Sequence, residues 1–489
     1  MKALAILEIA VACLFTGSGA IQLYRRTDGA PRVVRFPIER GLPSNGILGS
    51  HLRRRDKTVQ ITLENFDVNY YVNVTLGTPP QNLRLLLDTG TADTWVNTAT
   101  SDECTSTGHP GSTFGTYDAN SSSTYSYIGP GFNLTTLTGD FAIGDYAIDT
   151  LTVGSTTFPT LQIGIASSSN NPQGELGIGY PTGESQVTTE GKGTYNNLPA
   201  QMVAQGLINS NAYSLWLNDL NASTGNILFG GVDTARYHGS LATLPLQEVG
   251  GTVSQFPITL TGMTYNSVVI AKNMALAIAL ISGDTLTYLP NDLAQAVFQE
   301  VGAYYDPTSG NAFIPCTQAT VAGALNFTFS SVTISVPMTE LVLNVLDNND
   351  GGIPETIGGD GVKACVFGIA PALGTPFQLG DTFLRSAYVV FDIDKNEISL
   401  AQTNFDATGS DVVEIGTGTG SVPNATPVVN AVSATQGTGV FNSITPSPTA
   451  GGGLGGGKTT TSGVGRITGR KGGGFVVFLV LMLSFYACI

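Results

Sequence analysis

The sequence predicts an all-β fold with a few short helices, built as a twofold repeat. Short runs rich in Val, Ile, Thr, Tyr and Phe, such as Tyr70–Leu76 and Ala387–Ile393, alternate with turns that contain Gly and Asn, which is typical of strands. Two stretches differ, Leu198–Gln205 and Asp292–Tyr304, and in the second of them apolar residues recur at helical spacing. A motif that occurs twice in this region completes the prediction.

The repeated motif is a strand, a sharp loop and a returning strand. Its first copy runs through Asp88-Thr89-Gly90-Thr91 into Trp95, and its second through Ile281-Ser282-Gly283-Asp284 into Leu286. Each copy is followed by an apolar residue and a glycine, at Leu176-Gly177 and Leu379-Gly380. This repeat predicts two halves related by a pseudo-twofold axis.

The N-terminal segment has the features of a secretion signal. Lys2 precedes an apolar run that ends at Phe15, and small residues up to Ala20 offer a cleavage site. The run is shorter than the roughly 20 residues that a membrane span needs. We therefore expect residues 1–20 to be a signal peptide that is removed; retention of the run is the alternative.

Residues 21–55 form a basic segment in an otherwise acidic chain. They contain scattered arginines and end in Arg53-Arg54-Arg55. We interpret them as a propeptide with a basic processing site. A solvated charge run that is never processed is the alternative.

The C-terminal region is dominated by Gly, Ser, Thr and Pro, so it buries too little apolar surface to offset chain entropy. We expect a stalk over residues 413–463. Residues 464–489 hold a polar spacer and the apolar run Phe475–Ile489, which is typical of a glycolipid (GPI) attachment signal. The expected location is the outer face of the plasma membrane or the cell wall; a tail-anchored helix is the alternative.

The cysteines and the glycosylation sequons fit the same secreted location. Outside the two removed ends we expect Cys316 and Cys365 to form a disulfide, which leaves Cys104 either buried and inert or a free thiol. The N-x-Ser/Thr sequons that suit glycosylation are at Asn73, Asn120, Asn133, Asn221, Asn326 and Asn424.

The net charge of the chain limits the classes of molecule that it could bind. A formal net charge of −15 argues against nucleic acid as a partner. It also fits a protein that works in acid, where partial protonation of the carboxylates reduces their mutual repulsion.

A pair of loops like these can perform acid–base chemistry if each loop carries a carboxylate. Two carboxyl groups about 3 Å apart share one proton, because like charges at that distance do not both ionise. One group then acts on a water as a base, and the other donates a hydrogen bond to a carbonyl. Asp88 lies in a suitable compact loop, which the Thr89 hydroxyl can brace.

Three parts of the chain resemble the pepsin family of aspartic peptidases. Tyr70–Gln81 with Leu86–Thr91 is similar to the first catalytic region of that family, and Leu379–Arg385 to its C-terminal Gly-Asp-x-Phe-Leu-Arg signature. Asn211–Leu217 with Leu228–Asp233 looks like the region between its lobes. The resemblance covers residues 70–402, and the propeptide, stalk and lipid signal make fungal yapsin-like surface proteases the nearest group.

The resemblance implies two β-rich lobes around a central cleft, which we expect over residues 56–235 and 236–412, with a β-hairpin flap. It also implies acid endopeptidase action on polypeptides by a monomer that needs no metal or cofactor. Around a catalytic Asp88, the site residues that it implies are Thr89, Gly90, Thr91, Trp95, Ser282 and Gly283.

The sequence departs from the family at the chemistry itself. The run Leu286–Pro290 fixes the register of the second loop, so Ile281 stands where the family has its second catalytic aspartate. The flap tyrosine of the family falls at Thr136 or Leu137. Glu175 replaces an apolar residue that in the family lies near the substrate pocket, and a cysteine expected after Cys104 is missing near Gly111.

Three hypotheses follow. The chain is an acid endopeptidase that relies on Asp88, with Asp284 or Glu175 in support; a displaced Asp88–Asp284 pair is one form of this hypothesis, and a surface role for Asp284 is its alternative. The second hypothesis is a pseudopeptidase whose cleft binds peptides or wall polymers. The third is an error in the gene sequence around Ala279–Thr285.

Overall fold

The computed structural model describes residues 31–41, 69–105, 113–136, 139–222, 224–248, 251, 253, 255–307, 309–344, 356–357 and 361–435. The predicted signal peptide and attachment signal lie outside these ranges. No helix of the described residues is long and apolar enough to cross a membrane.

Strands dominate the described residues, as the sequence predicts. In the N-terminal half they are β1 (Val34–Gly41), β2 (Asn69–Leu76), β3 (Gln81–Asp88), β4 (Thr94–Asn97), β5 (Ser126–Thr135), β6 (Phe141–Val153), β7 (Thr156–Ser169), β8 (Glu175–Gly177), β9 (Ala212–Trp216), β10 (Thr224–Phe229) and β11 (Gly231–Asp233). In the C-terminal half they are β12 (Tyr237–Pro245), β13 (Pro257–Tyr265), β14 (Val268–Leu280), β15 (Thr287–Leu289), β16 (Tyr304–Asp306), β17 (Asn311–Pro315), β18 (Ala324–Phe329), β19 (Val332–Pro337), β20 (Val342–Leu343), β21 (Thr356–Ile357), β22 (Val362–Phe367), β23 (Ile369–Pro371), β24 (Gln378–Leu379), β25 (Ala387–Asp392), β26 (Glu397–Thr403), β27 (Val412–Glu414) and β28 (Ala425–Pro427).

The helices are short. The α-helices are Asp102–Thr105, Ser185–Thr188, Leu198–Ala204, Asn291–Val301, Met338–Leu341 and Asp381–Leu384. Single 3₁₀ turns cover Ala119–Ser121, Pro181–Gly183, Thr234–Arg236 and Cys316–Thr320.

Both predicted helices are present, and local signals set their ends. The side chain of Asn197 accepts a hydrogen bond from the backbone of Ala200 and caps the first helix. The second helix ends at Val301, earlier than the predicted Tyr304, because Gly302 adopts a left-handed conformation with φ of 75°.

Sheet topology joins the two halves of the chain. Fourteen strands form one sheet in the order β28-β12-β26-β25-β9-β10-β1-β2-β3-β8-β4-β7-β6-β5. A seven-stranded sheet, β19-β18-β13-β14-β24-β15-β23, belongs to the C-terminal half. So does a five-stranded sheet, in which β16-β17-β22-β20 form one path and β21 also pairs with β22. The large sheet crosses the predicted lobe boundary at residue 235, since β12, β25 and β26 lie in it.

The predicted propeptide contributes a central strand. β1 pairs with β10 on one side and with β2 on the other. Val34, Phe36 and Ile38 alternate inward and are fully buried, which explains why a basic segment pairs so deeply. Proteolytic removal of residues 21–55 stays a prediction, and such removal would take this strand out of the sheet.

The folded chain extends further than the stalk prediction allows. β27 pairs with β11, β28 pairs with β12, and the backbone of Thr435 donates a hydrogen bond to Ala275. A stalk that begins at residue 413 is therefore corrected for the part up to Thr435. Composition misled here because isolated apolar residues, Ile415 and Val422, are buried against the large sheet.

The predicted disulfide is confirmed, because Cys316 and Cys365 are bonded. Cys104 is buried in the helix Asp102–Thr105 and is not part of the disulfide; its chemical inertness stays a prediction.

Candidate active site

The two repeated loops meet and hold each other through their backbones. The Thr89 hydroxyl donates to the carbonyl of Leu280 (2.9 Å) and accepts from the backbone N–H of Ser282 (3.0 Å). Reciprocally, the Ser282 hydroxyl donates to the carbonyl of Leu87 (2.8 Å) and accepts from the N–H of Thr89 (3.2 Å). This exchange of four buried hydrogen bonds makes Ser282 the counterpart of Thr89, and hence Ile281 the counterpart of Asp88.

Strand register aims the key side chains away from the core. Leu85 and Leu87 of β3 and Leu176 of β8 lie in the main hydrophobic core, so Leu86, Asp88 and Glu175 project from the opposite face. The same alternation applies in the second repeat, where Leu280 and Leu379 are core residues. Ile281 and Gln378 therefore face the opposite side of that sheet.

Asp88 is held in a tight backbone cradle. Its carboxylate accepts a hydrogen bond from the N–H of Gly90 (2.7 Å), and the side chain is buried. A Cβ added at Gly283 would lie 2.4 Å from Asp88 Cγ, so the carboxyl group rests on the backbone of the second loop. Glycine is required at position 283 by this contact.

The electrostatics of Asp88 extend its protonated form to a higher pH than is usual for an aspartate. Burial raises the pKa of Asp88 to about 6, although hydrogen bonds from Gly90, Thr91 and Gly283 oppose the shift. The nearby carboxylate of Asp284 raises that pKa further as a like charge.

Ile281 fills the place of a second carboxylate with an apolar side chain. A Cβ added at Gly90 would lie 3.0 Å from Ile281 Cγ2 and 3.1 Å from Asp88 Oδ1. Ile281 therefore flanks Asp88 across Gly90, and its side chain is buried. A hydrocarbon at this position can neither share the proton of Asp88 nor orient a water.

Asp284 lies at the edge of the second loop. One carboxylate oxygen accepts a hydrogen bond from the side-chain amide of Gln378, and its backbone carbonyl accepts from the N–H of Asp381 (2.9 Å). The structure thus brings Asp284 near enough to Asp88 to alter its pKa and ties it to β24. Sequence reasoning missed Gln378, although its place before Leu379-Gly380 repeats that of Glu175 before Leu176-Gly177.

The predicted flap hairpin is present, and Thr136 occupies one of the two positions predicted for the tyrosine of the family. β5 and β6 pair up to their tip, where the N–H of Thr136 donates to the carbonyl of Asp140 (2.8 Å). Leu137 lies outside the described residues. Trp95 packs under the hairpin against Phe132 and Tyr146, and its buried indole N–H has no hydrogen-bond partner within the described residues.

Glu175 lies on the same face as Asp88 beside an aromatic patch. β8 aligns Glu175 with Leu86, and Leu86 packs with Tyr71 and Phe114. Glu175 is buried. An acidic group therefore lies beside an apolar and aromatic cluster.

The sequons differ in accessibility. Those that are exposed are Asn73, Asn120, Asn133, Asn221 and Asn424. Asn326 is half-buried, and its amide donates to the hydroxyl of Thr264 (3.0 Å). The described residues contain no group of three or more His, Cys, Asp or Glu side chains that could hold a metal ion.

The two β-rich halves and the paired loops around Asp88 and Ile281 are those of the pepsin-like aspartyl protease family. A sequence profile described as "Eukaryotic aspartyl protease" matches residues 69–403, and the chain belongs to that family. The fold and family predictions are confirmed.

Several relatives are similar over most of their length. The chain is 46% identical to the "Probable aspartic-type endopeptidase opsB" of Aspergillus fumigatus over 87% of each sequence, and 46% identical to the protein of the same name in Aspergillus oryzae over 88% of each. It is 36% identical to an "Acid protease" of Saccharomycopsis fibuligera, over 72% of this chain and 85% of the relative. The crystal structure of an aspartic proteinase from Irpex lacteus has a TM-score of 0.57 at 24% identity, covers 70% of this chain and 97% of that one, and supports the fold alone.

Proposed function

We propose that this chain is a secreted, cell-surface member of the family that binds polypeptide in its cleft and hydrolyses it slowly. The observation that carries the proposal is the intact exchange between Thr89 and Ser282 around a site with Asp88 on one side and Ile281 on the other. The architecture for binding is kept, and one of two acid–base groups is replaced.

The physical reason is that one carboxyl group cannot be acid and base at once. Below about pH 6 Asp88 is mainly protonated and can donate to a scissile carbonyl, but it cannot then activate water. Above that pH it can act as a base, but no neighbouring acid is supplied by Ile281. A paired dyad avoids this conflict by sharing a proton.

Glu175 supports a preference for basic side chains in the bound polypeptide. Its carboxylate lies on the face that carries Asp88 and next to the apolar Leu86, where a cationic side chain could extend along the patch and pair at its end. We expect Glu175→Leu to weaken binding of a lysine-containing peptide about tenfold relative to a norleucine analogue. Glu175→Gln separates charge from size, and equal binding of both peptides by all variants would exclude this preference.

Hydrolysis and binding must be measured together. The secreted chain is incubated with a denatured protein at about pH 4, and binding of a peptide inhibitor that mimics the tetrahedral intermediate is measured in parallel. We expect inhibitor binding with little cleavage. Rapid cleavage would contradict the impairment, and absence of both binding and cleavage would contradict the whole proposal.

A second candidate is a displaced pair of Asp88 and Asp284. It is favoured by the influence of Asp284 on the pKa of Asp88. In that case Asp284→Asn abolishes any residual cleavage while inhibitor binding persists. Residual cleavage that is unchanged in Asp284→Asn would exclude this pair.

The cell-surface location is supported by the sequence of the two ends and by the exposed sequons. Release of the protein from cells by a phospholipase specific for glycosylphosphatidylinositol would test the anchor. A protein that stays membrane-bound after this treatment would contradict it.

A further inference from the structure

Two buried carboxyl groups lie together behind the loop that carries Asp88. Asp93 follows that loop and precedes β4, whereas Glu184 follows the 3₁₀ turn Pro181–Gly183. Both side chains are 0% exposed. The candidate catalytic groups do not account for either of them.

Tyr195 links the two carboxyl groups. Its hydroxyl donates to Asp93 Oδ1 (2.7 Å), and its backbone N–H donates to Glu184 Oε2 (2.8 Å). The N–H of Ser185 donates to Asp93 Oδ2 (2.7 Å). Asp93 is therefore satisfied on both oxygens, while Glu184 Oε1 has no hydrogen-bond partner in the part of the chain that the structure describes.

No cation balances the pair within the described residues. The titratable groups that face it are Tyr195 and, beyond it, Tyr146 and Glu190; Lys192 is paired with Glu190. Two buried negative charges without a cation are costly. Burial raises the pKa of Asp93, and burial, followed by the proximity of Asp93, raises the pKa of Glu184 to about 8. Because Asp93 accepts a hydrogen bond on each oxygen and Glu184 accepts only one, the first negative charge of the pair is better stabilised on Asp93, and Glu184 keeps its proton.

The segment Gly177–Gly179, which precedes Glu184 in the chain, contacts the loop of Asp88 directly. The N–H of Ile178 donates to the carbonyl of Asp88 (2.9 Å), and the N–H of Gly179 donates to that of Thr91 (2.7 Å). A Cβ at Gly177 would lie 2.3 Å from the carbonyl oxygen of Asp93. The loop is thus held along its length by Gly177–Gly179 and at its end by the hydrogen bonds that Ser185 and Tyr195 donate to Asp93.

We propose that Glu184 and Tyr195 are positioning residues that fix the loop of Asp88 through Asp93, and that they do so only while Glu184 keeps its proton. When Glu184 loses its proton, its negative charge repels that of Asp93 and attracts the Ser185 and Tyr195 donors away from Asp93. The end of the loop then loosens. This device does not depend on whether the cleft hydrolyses its ligand.

Amide hydrogen exchange of the secreted full-length chain tests the proposal without using activity. Exchange of the segment from Asp88 to Asn97 is followed from about pH 6 to about pH 9, with rates corrected for the intrinsic pH dependence of exchange. We expect protection in the wild type to fall with a midpoint near pH 8. In Glu184→Gln protection persists through the whole range.

Two further variants keep the test decisive. Tyr195→Phe removes one hydrogen bond to Asp93 and should lower protection of this segment about tenfold already at about pH 6, with β25 and β26 unaffected. Glu190→Gln changes a partly exposed carboxylate on the same segment and should match the wild type.

Three results would overturn the proposal. They are wild-type protection that is flat across this pH range, a Glu184→Gln variant that keeps the wild-type midpoint, and a Tyr195→Phe variant with unchanged protection. If Glu184→Gln fails to fold, the wild-type profile and Tyr195→Phe decide the question.

Discussion

The loop of Asp88 and the loop of Ile281 have the same backbone architecture and different chemistry. Each follows a strand with core leucines, and each uses a hydroxyl, Thr89 or Ser282, to bond the strand that leads into the other loop. Neither Asp88 nor Ile281 takes part in that exchange. The architecture therefore survives the replacement of a carboxylate, since hydroxyl and backbone groups maintain it.

The residues around the two loops carry their acidic side chains at different positions. In the first repeat Thr91 follows the loop and Glu175 precedes the apolar-Gly step, whereas Asp284 and Gln378 hold those places in the second. The amide of Gln378 binds the carboxylate of Asp284. The second loop thus keeps an acidic group at its edge and has lost one at its centre.

The largest expected loss of stability comes from breaking the contact between the loops. Gly283→Ala places a Cβ 2.4 Å from Asp88 Cγ, and overpacking of this kind costs about 3 kcal/mol. Denaturant unfolding measures the loss. Gly193→Ala, where an added Cβ has open space, is the control and should differ by less than about 0.5 kcal/mol.

The next largest expected effect is a pH dependence of stability, which arises from Asp88 and has no counterpart at Ile281. Because the folded-state pKa of Asp88 is raised from 3.8 to about 6, its contribution is present below about pH 4 and is lost as the pH rises through about 6. We expect the unfolding free energy of the wild type, relative to that of Asp88→Asn, to fall by about 2 kcal/mol over this interval. A constant difference between the two proteins would mean that Asp88 titrates normally.

Breaking the hydrogen bonds that Thr89 and Ser282 exchange should lower the unfolding free energy by a somewhat smaller amount. Ser282→Ala leaves the buried carbonyl of Leu87 and the N–H of Thr89 without this partner, and we expect a loss of about 1 to 2 kcal/mol. Thr89→Ser keeps the hydroxyl and should cost less. If Ser282→Ala were neutral in denaturant unfolding, the exchange would not be what holds the loops.

The smallest effect concerns the edge of the second loop. Asp284→Asn removes a like charge from the neighbourhood of Asp88 and should lower the pKa of Asp88. Carbon-13 NMR of the Asp88 carboxyl group measures this shift, and Asp284→Glu serves as the control that keeps the charge. An upward shift would show that Asp284 acts on Asp88 by something other than repulsion.

The sequence predicted most of the site because the repeat fixes register. The match of Ser282 to Thr89 follows from aligned loops, and it places Ile281 without any structure. The end of the helix at Val301 could also have been predicted from the sequence, since glycine, here Gly302, is common just after the last residue of a helix.

Long-range contacts account for what the sequence did not predict. The Gln378–Asp284 hydrogen bond spans a large separation along the chain, and the cluster of Asp93, Glu184 and Tyr195 has no local pattern. The burial of β1 and of the segment up to Thr435 depends on partners elsewhere in the large sheet, which composition does not reveal.

The most direct test of the central claim restores the carboxylate. Cleavage of a denatured protein at about pH 4 is compared between the wild type, Ile281→Asp combined with Asp284→Thr, and Ile281→Asn combined with Asp284→Thr. We predict that the aspartate variant gains at least about 100-fold, within the range of acid–base catalysis, and that the asparagine variant gains nothing. A folded aspartate variant that stays as slow as the wild type would contradict the claim that Ile281 limits hydrolysis.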